Sequence, residues 1–97
     1  MIIRRRVLVS GRVQGVGFRQ VTLQEAQSQR TISGFVRNIS DGRVEAVFEG
    51  EESEVLQMVA WCARGPRLAE VTRLEVTEES SEVSSNGGNR FTGFEIR

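Results

Sequence analysis

The sequence lacks several residue types that active sites commonly use. Its 97 residues include no histidine, no lysine and no tyrosine, and only one cysteine. Without histidine, the usual general base near neutral pH and the commonest zinc ligand are missing. Without lysine, Schiff-base and lysine-nucleophile chemistry are excluded. Cys62 has no cysteine partner for a disulfide or a metal site. We therefore expect no metal and no cofactor.

Long apolar runs and net charge are also lacking. No segment is long enough to span a bilayer, and Met1–Arg6 lacks the apolar centre of a signal peptide. We therefore expect a cytoplasmic protein with no membrane partner. Thirteen basic and thirteen acidic residues cancel, so no overall field attracts nucleic acid. An apolar content of 38% and 27% charge are typical of a globular domain, and the length fits one domain over residues 1–97.

The most informative stretch is Ser10–Arg19, read SGRVQGVGFR, which contains three glycines between an apolar run, Val7–Val9, and a helix-compatible segment. Glycine tolerates positive φ, so several backbone amides can turn inward at the start of a helix and bind an anion. The Arg19 guanidinium matches two phosphate oxygens. This pattern indicates a phosphate-sized anion site. A flexible turn with a solvated Arg19 is the alternative.

Hydrophobic periodicity predicts five strands and two helices. The consecutive apolar residues Val7–Val9 indicate a central first strand. The β-α-β-β-α-β order plus a terminal strand predicts an α+β ferredoxin-like sandwich, with two helices on one face of a mostly antiparallel sheet of four or five strands. The predicted strands are Arg4–Ser10, Phe35–Ser40, Arg43–Glu49, Val71–Thr77 and Phe91–Ile96, and the predicted helices are Phe18–Gln29 and Glu51–Arg64.

The hairpin sequence contains two signals. Asp41-Gly42 favours a type I′ turn between the second and third strands. In the third strand, apolar and charged residues alternate, which predicts one buried face, with Val47 as an exception. Its predicted inward residues are Val44, Ala46 and Phe48, and the alternating charged residues are Arg43, Glu45 and Glu49.

Several other residues have a structural interpretation. Arg4–Arg6 forms either a patch for a polyanion or, more simply, a set of solvated charges at a frayed strand end. On the second helix, Met58, Trp61 and Cys62 are predicted to pack in the core, with Leu56 beside the apolar stripe. Leu74 and Val76 are predicted to face inward from the fourth strand. The polar segment Glu78–Arg90 is predicted to be a mobile loop without function.

Asn38 lies near the end of the second predicted strand, where asparagine is unfavourable in a strand interior. In one interpretation its side chain helps to initiate the turn at Asp41-Gly42. In the other, the strand holds its amide where it can orient a water molecule or a substrate oxygen.

Two motifs together resemble the signatures of the acylphosphatase family. The first is Gly11–Arg19, read GRVQGVGFR, and the second comprises Gly34–Asn38 and Asp41–Glu45, read GFVRN and DGRVE. Gly65–Pro66 and the closing Phe94–Arg97 are also similar, so the resemblance spans nearly the whole chain. It implies the ferredoxin-like fold and hydrolysis of the carboxyl–phosphate anhydride of acyl phosphates, without metal, cofactor or phosphoenzyme.

The resemblance also implies roles for individual residues. Asn38 would position the attacking water. Thr22 stands where the family often has a threonine that supports the site, although a hydroxyl on a helix surface is usually just solvated. The implied partners are a small acyl phosphate as substrate and inorganic phosphate as product, with a monomeric enzyme. The implied phosphoryl-binding groups are the guanidinium of Arg19 and the main-chain amides of Val13, Gln14, Gly15, Val16, Gly17 and Phe18.

Two parts of the chain depart from the family pattern. Gln29–Ser33, which joins the end of the first helix to the second strand, replaces the usual apolar residue and glycine and is one residue longer than usual. Gln20 and Val21 replace residues that are often aromatic. We expect these differences to affect the stability of the first helix and the direction in which the Arg19 side chain points.

Three other functions are alternatives to the enzyme that the resemblance implies. A phosphate- or carbamoyl-phosphate-binding module is one, because a similar domain begins large carbamoyl-transfer proteins of hydrogenase maturation; here no zinc-type cysteines follow. An RNA-recognition motif shares the sandwich, but five phenylalanines, no tyrosine and zero net charge argue against it. A catalytically inactive relative would have a misaligned phosphate loop.

Overall fold

The computed structural model describes residues 1–81 and 91–97, and the order of elements in this part of the chain is the predicted one. Neither helix has the length and hydrophobicity needed to cross a membrane. The elements are β1 (Ile2–Arg12), α1 (Phe18–Gln27), β2 (Ser33–Asn38), β3 (Val44–Glu51), α2 (Glu52–Arg64), β4 (Glu70–Glu79) and β5 (Phe94–Ile96).

The strands form one sheet in the order β4-β1-β3-β2-β5. Among the strands of the described residues, β2 and β5 pair in parallel and the other neighbours are antiparallel. The position of β1 between β4 and β3 confirms the predicted central strand. The helix α1 packs near β2 and β5, and α2 packs near β1, β3 and β4. The ferredoxin-like sandwich is thus confirmed, with a three-residue closing strand at one edge.

The core lies between the helices and one face of the sheet. Val7 and Val9 of β1 are fully buried there, as the apolar run predicts. Met58, Trp61 and Cys62 pack in the same core from α2, which confirms their packing role. Burial raises the pKa of the Cys62 thiol, so the thiolate needed for nucleophilic attack is disfavoured.

Two apolar residues predicted to belong with the core are exposed. Leu56 on α2 is 48% exposed, and Val76 on β4 is 46% exposed. Val76 pairs in register with the buried Val7, so both point toward the helix side of the sheet. Because β4 is an edge strand, the Val76 side chain is incompletely covered.

The face of β3 that points away from the helices is also buried, and the prediction of a single buried face is wrong. Glu45 is only 7% exposed and Glu49 only 4% exposed. Glu45 accepts hydrogen bonds from Arg6 and, at 2.5 Å, from the Nε of Arg37. Glu49 lies 3.5 Å from the Arg4 guanidinium. Burial of these carboxylates is possible because each has an arginine as counterion.

The arginine run at the start of the chain forms ion pairs within the fold, and the prediction of solvated charges at a frayed strand end is wrong. Strand β1 begins at Ile2, so these residues lie within a strand instead of at a frayed end. Arg6 also donates to Glu79 at 2.6 Å. The Arg4 guanidinium lies 4.8 Å from the ring centroid of Phe91, which packs edge-on against Phe35 at 5.9 Å. Arginines, carboxylates and rings thus cover the face of the sheet that has no helix.

The polar segment after β4 is shorter than predicted. Glu78 and Glu79 continue β4, and Ser81 donates a hydrogen bond to Glu49 Oε2 at 2.7 Å. The rest of the predicted loop, residues 82–90, lies outside the described residues. Strand β5 begins at Phe94 instead of Phe91. Helix α1 ends at Gln27, two residues earlier than predicted.

The start of α1 is held against the end of α2. The first helical residue, Phe18, is 2% exposed and packs edge-on against Trp61, with ring centroids 5.4 Å apart. Gly65 ends α2 with φ +71°, and a Cβ atom there would lie 2.7 Å from Cε2 of Phe18. Glycine is therefore needed at this position for its backbone conformation and for the space that the Phe18 ring occupies.

Gly65→Ala tests this packing. We expect a loss of about 2–4 kcal/mol in the free energy of unfolding, because a left-handed residue gains a side chain and the Phe18 ring must move. Gly42→Ala is the matched control, since Gly42 has φ +98° and a Cβ atom added there would have nothing within 4 Å. The control should lose only about 1–2 kcal/mol in urea unfolding. Equal losses in the two variants would show that contact with Phe18 is unimportant.

Glu45→Gln tests the buried carboxylate. Burial alone would raise the pKa of Glu45, but hydrogen bonds from Arg37 and Arg6 outweigh it and hold this pKa below its usual value. The folded-state pKa thus lies below the unfolded value of about 4.3, so the stabilisation is present above that pH and is lost as the pH falls through the folded-state value. We expect Glu45→Gln to reduce the free energy of unfolding at pH 7 by about 1.5–3 kcal/mol.

Urea unfolding between pH 7 and pH 3 measures this effect. The difference between the wild type and Glu45→Gln should shrink as the pH falls. Glu78→Gln is the control, because Glu78 is a largely exposed partner of Arg5 at 3.8 Å and should matter by less than about 1 kcal/mol. A difference for Glu45→Gln that stays constant down to pH 3 would contradict the assigned pKa direction.

Candidate functional site

The glycine-rich stretch forms the connection between β1 and α1. Strand β1 ends at Arg12 and α1 begins at Phe18, so residues 13–17 form the loop. Gly15 has φ +76° and Gly17 has φ +81°, both in the left-handed region that favours glycine. Gly17 is the N-cap of α1, and none of the described side chains caps this helix. The expected conformational role of these glycines is therefore present in the structure.

Main-chain N–H groups are available along this loop and the first turn of α1. Within the described residues, no N–H group of residues 14–20 donates to a protein acceptor; the first hydrogen bond of the helix joins the Val21 N–H to the Gly17 carbonyl at 3.0 Å. The start of a helix is also the positive end of its dipole. Such a group of donors is suited to bind an anion.

A cleft of about 320 Å³ lies against this loop and contains both polar side chains singled out in the sequence. Arg19 reaches it from the first turn of α1, and Asn38 from the last residue of β2. The structure therefore brings Arg19 and Asn38 together although they are 19 positions apart in the sequence. The residues lining the cleft are Val13, Gly15, Gly17, Phe18, Arg19, Gln20, Asn38 and Ile96.

Both polar side chains in the cleft are free to bind a ligand. Among residues 1–81 and 91–97, no carboxylate forms an ion pair with Arg19, and the Asn38 side chain makes no hydrogen bond. The turn interpretation of Asn38 is not supported, because the side chain that supports the turn is Asp41, whose Oδ1 accepts from the Arg43 N–H at 3.1 Å. Within the same part of the chain, no group of three His, Cys, Asp or Glu residues is arranged to hold a metal ion.

The turn between β2 and β3 differs from the predicted type. Asp41 does not have positive φ, which a type I′ turn requires, whereas Gly42 has φ +98°. The Gly42 N–H bonds to the Ile39 carbonyl at 3.1 Å, and the Ile39 N–H bonds to the Arg43 carbonyl at 2.9 Å. This pattern fits a three-residue loop in which a tight turn is followed by a left-handed glycine. The hairpin is confirmed, and the type I′ turn is wrong.

The remaining predicted site residues support the cleft from different sides. Val13 is 1% exposed and anchors the start of the loop in the core, against which Val16 also packs. Thr22 is fully buried and its hydroxyl donates to the Phe18 carbonyl at 2.7 Å, so a solvated hydroxyl at this position is wrong. The Gln14 side chain does not line the cleft; it bonds to the hairpin instead. The predicted binding of phosphate by the Arg19 guanidinium and by the amides of residues 13–18 stays a prediction.

Two residues of the cleft were not predicted as site residues. Gln20 follows Arg19 in the first turn of α1, and the presence of two glycines just before the helix could have indicated that the whole first turn faces the cleft. Ile96 comes from β5, which pairs in parallel with β2. Its place in the cleft depends on the pairing of a distant strand, for which the sequence has no local signal.

Comparisons with known proteins show which family the chain belongs to. The family model for acylphosphatase matches residues 5–96. An acylphosphatase from Rubrobacter xylanophilus is 53% identical over 94 residues, which cover 97% of this chain and 79% of that protein. The structure of an acylphosphatase from Coxiella burnetii superposes with a TM-score of 0.86 at 31% identity, covering 99% of this chain and 93% of that one.

A larger protein contains a similar unit. The crystal structure of full-length HypF, in a phosphate- and nucleotide-bound form, matches with a TM-score of 0.84 at 28% identity; the match covers all of this chain and 12% of HypF. The curated relatives over nearly the full length, together with the family model, confirm the predicted enzyme. This chain belongs to the acylphosphatase family.

Proposed function

We propose that the cleft hydrolyses acyl phosphates by direct attack of water on phosphorus, with Arg19 and the loop amides holding the phosphoryl group and Asn38 orienting the water. The observation that carries this proposal is the meeting of Arg19, Asn38 and the two left-handed glycines in one cleft. The proposal needs no metal and no cofactor. It extends the family assignment to particular residues of this chain.

Binding of the phosphoryl group is supported by the free donors of the loop. A guanidinium can bind two phosphate oxygens at once, and such charge-assisted hydrogen bonds are roughly twice as strong as neutral ones. The amides of the loop and first helical turn add donors fixed by the backbone. Because no described carboxylate competes for Arg19, its donors are available to the substrate. The site thus complements a doubly charged phosphoryl group.

Hydrolysis of an acyl phosphate requires few catalytic groups from the protein. Water attacks phosphorus, the phosphorus–oxygen bond to the acyl group breaks, and its electron pair stays on the carboxylate that leaves. A carboxylate is a good leaving group, so no general acid is required. The proton of the attacking water passes to a phosphoryl oxygen, which removes the need for histidine. Catalysis then depends on positioning and on charge stabilisation at the equatorial oxygens.

The size of the cleft favours small substrates. Its volume of about 320 Å³ lies at the lower end of the range of about 300–1,000 Å³ that is usual for ligand pockets. Binding centred on the phosphate allows different small acyl groups to be accepted. We also propose that the enzyme acts as a monomer in the cytoplasm.

Arg19→Gln tests the phosphoryl site. We expect kcat/KM to fall about 100- to 1,000-fold, mainly through a higher KM, because the charged fork that binds the phosphate is lost. The measurement is hydrolysis of a simple aryl acyl phosphate in excess chelator. Arg64→Gln is the matched control, since Arg64 lines a groove between the two helices and not the cleft.

Three outcomes of these measurements would reject the proposal. Wild-type activity that disappears in chelator and returns only with added metal would contradict the metal-free mechanism. An equal loss in Arg19→Gln and Arg64→Gln would indicate a general effect of removing positive charge. A phosphate-binding module would be recognised by binding of inorganic phosphate without any turnover by the wild type.

Asn38→Ala tests the orientation of water. We expect kcat to fall about 100- to 1,000-fold, with a much smaller change in KM, because the amide acts on the reaction step and not on the bound phosphate. Inorganic phosphate should still inhibit Asn38→Ala competitively. Ser40→Ala, an exposed hydroxyl in the same hairpin, is the control and should retain wild-type kcat. A large rise in KM with unchanged kcat would show that Asn38 binds substrate instead.

A further inference from the structure

The side chain of Gln14 connects the two halves of the proposed site. Its Nε2 donates one hydrogen bond to the Ile39 carbonyl at 2.8 Å and another to the Arg43 carbonyl at 2.9 Å. Both donors of the amide are therefore used. Gln14 belongs to the phosphate loop, whereas the two acceptors belong to the hairpin that follows Asn38. This cross-link joins residues 25 and 29 positions apart.

The two acceptor carbonyls close the base of the hairpin turn. The Ile39 carbonyl also accepts from the Gly42 N–H, and the Arg43 carbonyl also accepts from the Ile39 N–H. Ile39 directly follows Asn38, so their Cα atoms are about 3.8 Å apart. A shift of this base relative to Gln14 would therefore shift the Asn38 amide relative to the loop.

We propose that Gln14 is a positioning residue that sets the distance between the bound phosphoryl group and the Asn38 amide. This inference rests on the proposed function, in which the loop holds phosphate and Asn38 holds the attacking water. Phosphate and water are held by different parts of the chain, and the Gln14 amide joins those parts by two direct hydrogen bonds. A misplacement of about 1 Å between reacting groups can reduce a rate about 100-fold.

Gln14→Met removes both donors and preserves the approximate length of the side chain. We expect kcat to fall about 10- to 100-fold because the water and phosphorus are no longer aligned. The inhibition constant for inorganic phosphate should change by less than about threefold, because the loop amides and Arg19 remain. Gln14→Leu provides a second test if Gln14→Met folds poorly. Thermal unfolding with and without inorganic phosphate checks that each variant is folded and binds the anion.

A double-mutant cycle distinguishes positioning from general support of the fold. In an Asn38→Ala background, Gln14→Met should change kcat by less than about threefold, because no Asn38 amide remains to be misplaced. Gln29→Met is the matched control, since its amide bonds to Gln57 on the exposed helix surface and its loss should leave kcat unchanged in both backgrounds.

The possible outcomes separate this inference from the proposed function. If Gln14→Met lowers kcat by the same factor in the Asn38→Ala background as in the wild type, the positioning role is wrong. The role of Asn38 then still stands, provided that Asn38→Ala itself lowers kcat. Lost phosphate affinity with retained kcat in Gln14→Met would also overturn the positioning role. If Asn38→Ala leaves kcat unchanged, both the proposed function of Asn38 and the inference are wrong.

Discussion

Main-chain N–H groups in the loop between β1 and α1 and in the first helical turn have no acceptor among the described residues, and the surrounding structure keeps them in place. A row of donors binds phosphate more tightly when the backbone already has the required shape without an anion. Gly15 and Gly17 allow that shape through left-handed φ. Phe18 fixes the point where the helix begins by packing against Trp61, and Gly65 leaves space for its ring.

Arginines have different roles on the helix-free face of the sheet and at the cleft. On the face without helices, arginines neutralise the buried carboxylates Glu45 and Glu49. These pairs allow β3 to be buried on both sides. At the cleft, by contrast, no described carboxylate pairs with Arg19. The Arg19 guanidinium is therefore available for an anion, because the buried carboxylates Glu45 and Glu49 have other arginines as counterions.

The sequence predicted the parts of the structure that depend on local patterns. The glycines and the helix that follows them predicted the left-handed loop between β1 and α1, and the Asp41-Gly42 signal predicted a hairpin that carries Asn38. The parts that depend on distant contacts were not predicted. Glu45 alternates with apolar residues like a solvent-facing charge, and only the pairing of β1 and β2 beside β3 brings Arg6 and Arg37 to it.

The same limit applies within the site. Three features of the site could be predicted only by knowing which residues pack together. They are the burial of Thr22, the place of Ile96 in the cleft and the hydrogen bonds of the Gln14 amide. The turn type differed because one glycine with positive φ suffices for a three-residue loop, whereas a type I′ turn needs two residues with positive φ. Local preference could distinguish a hairpin from a helix, but it could not distinguish these two turns.

Titration of the ¹⁵N-labelled protein with inorganic phosphate, followed by amide chemical shifts, is the most direct test of whether the loop amides bind the phosphoryl group. We expect the largest shift changes at the amides of residues 14–20 and at the Arg19 Nε, with smaller changes at Asn38. Changes centred on the arginines of the opposite sheet face, with the loop amides unmoved, would contradict this assignment of the anion site.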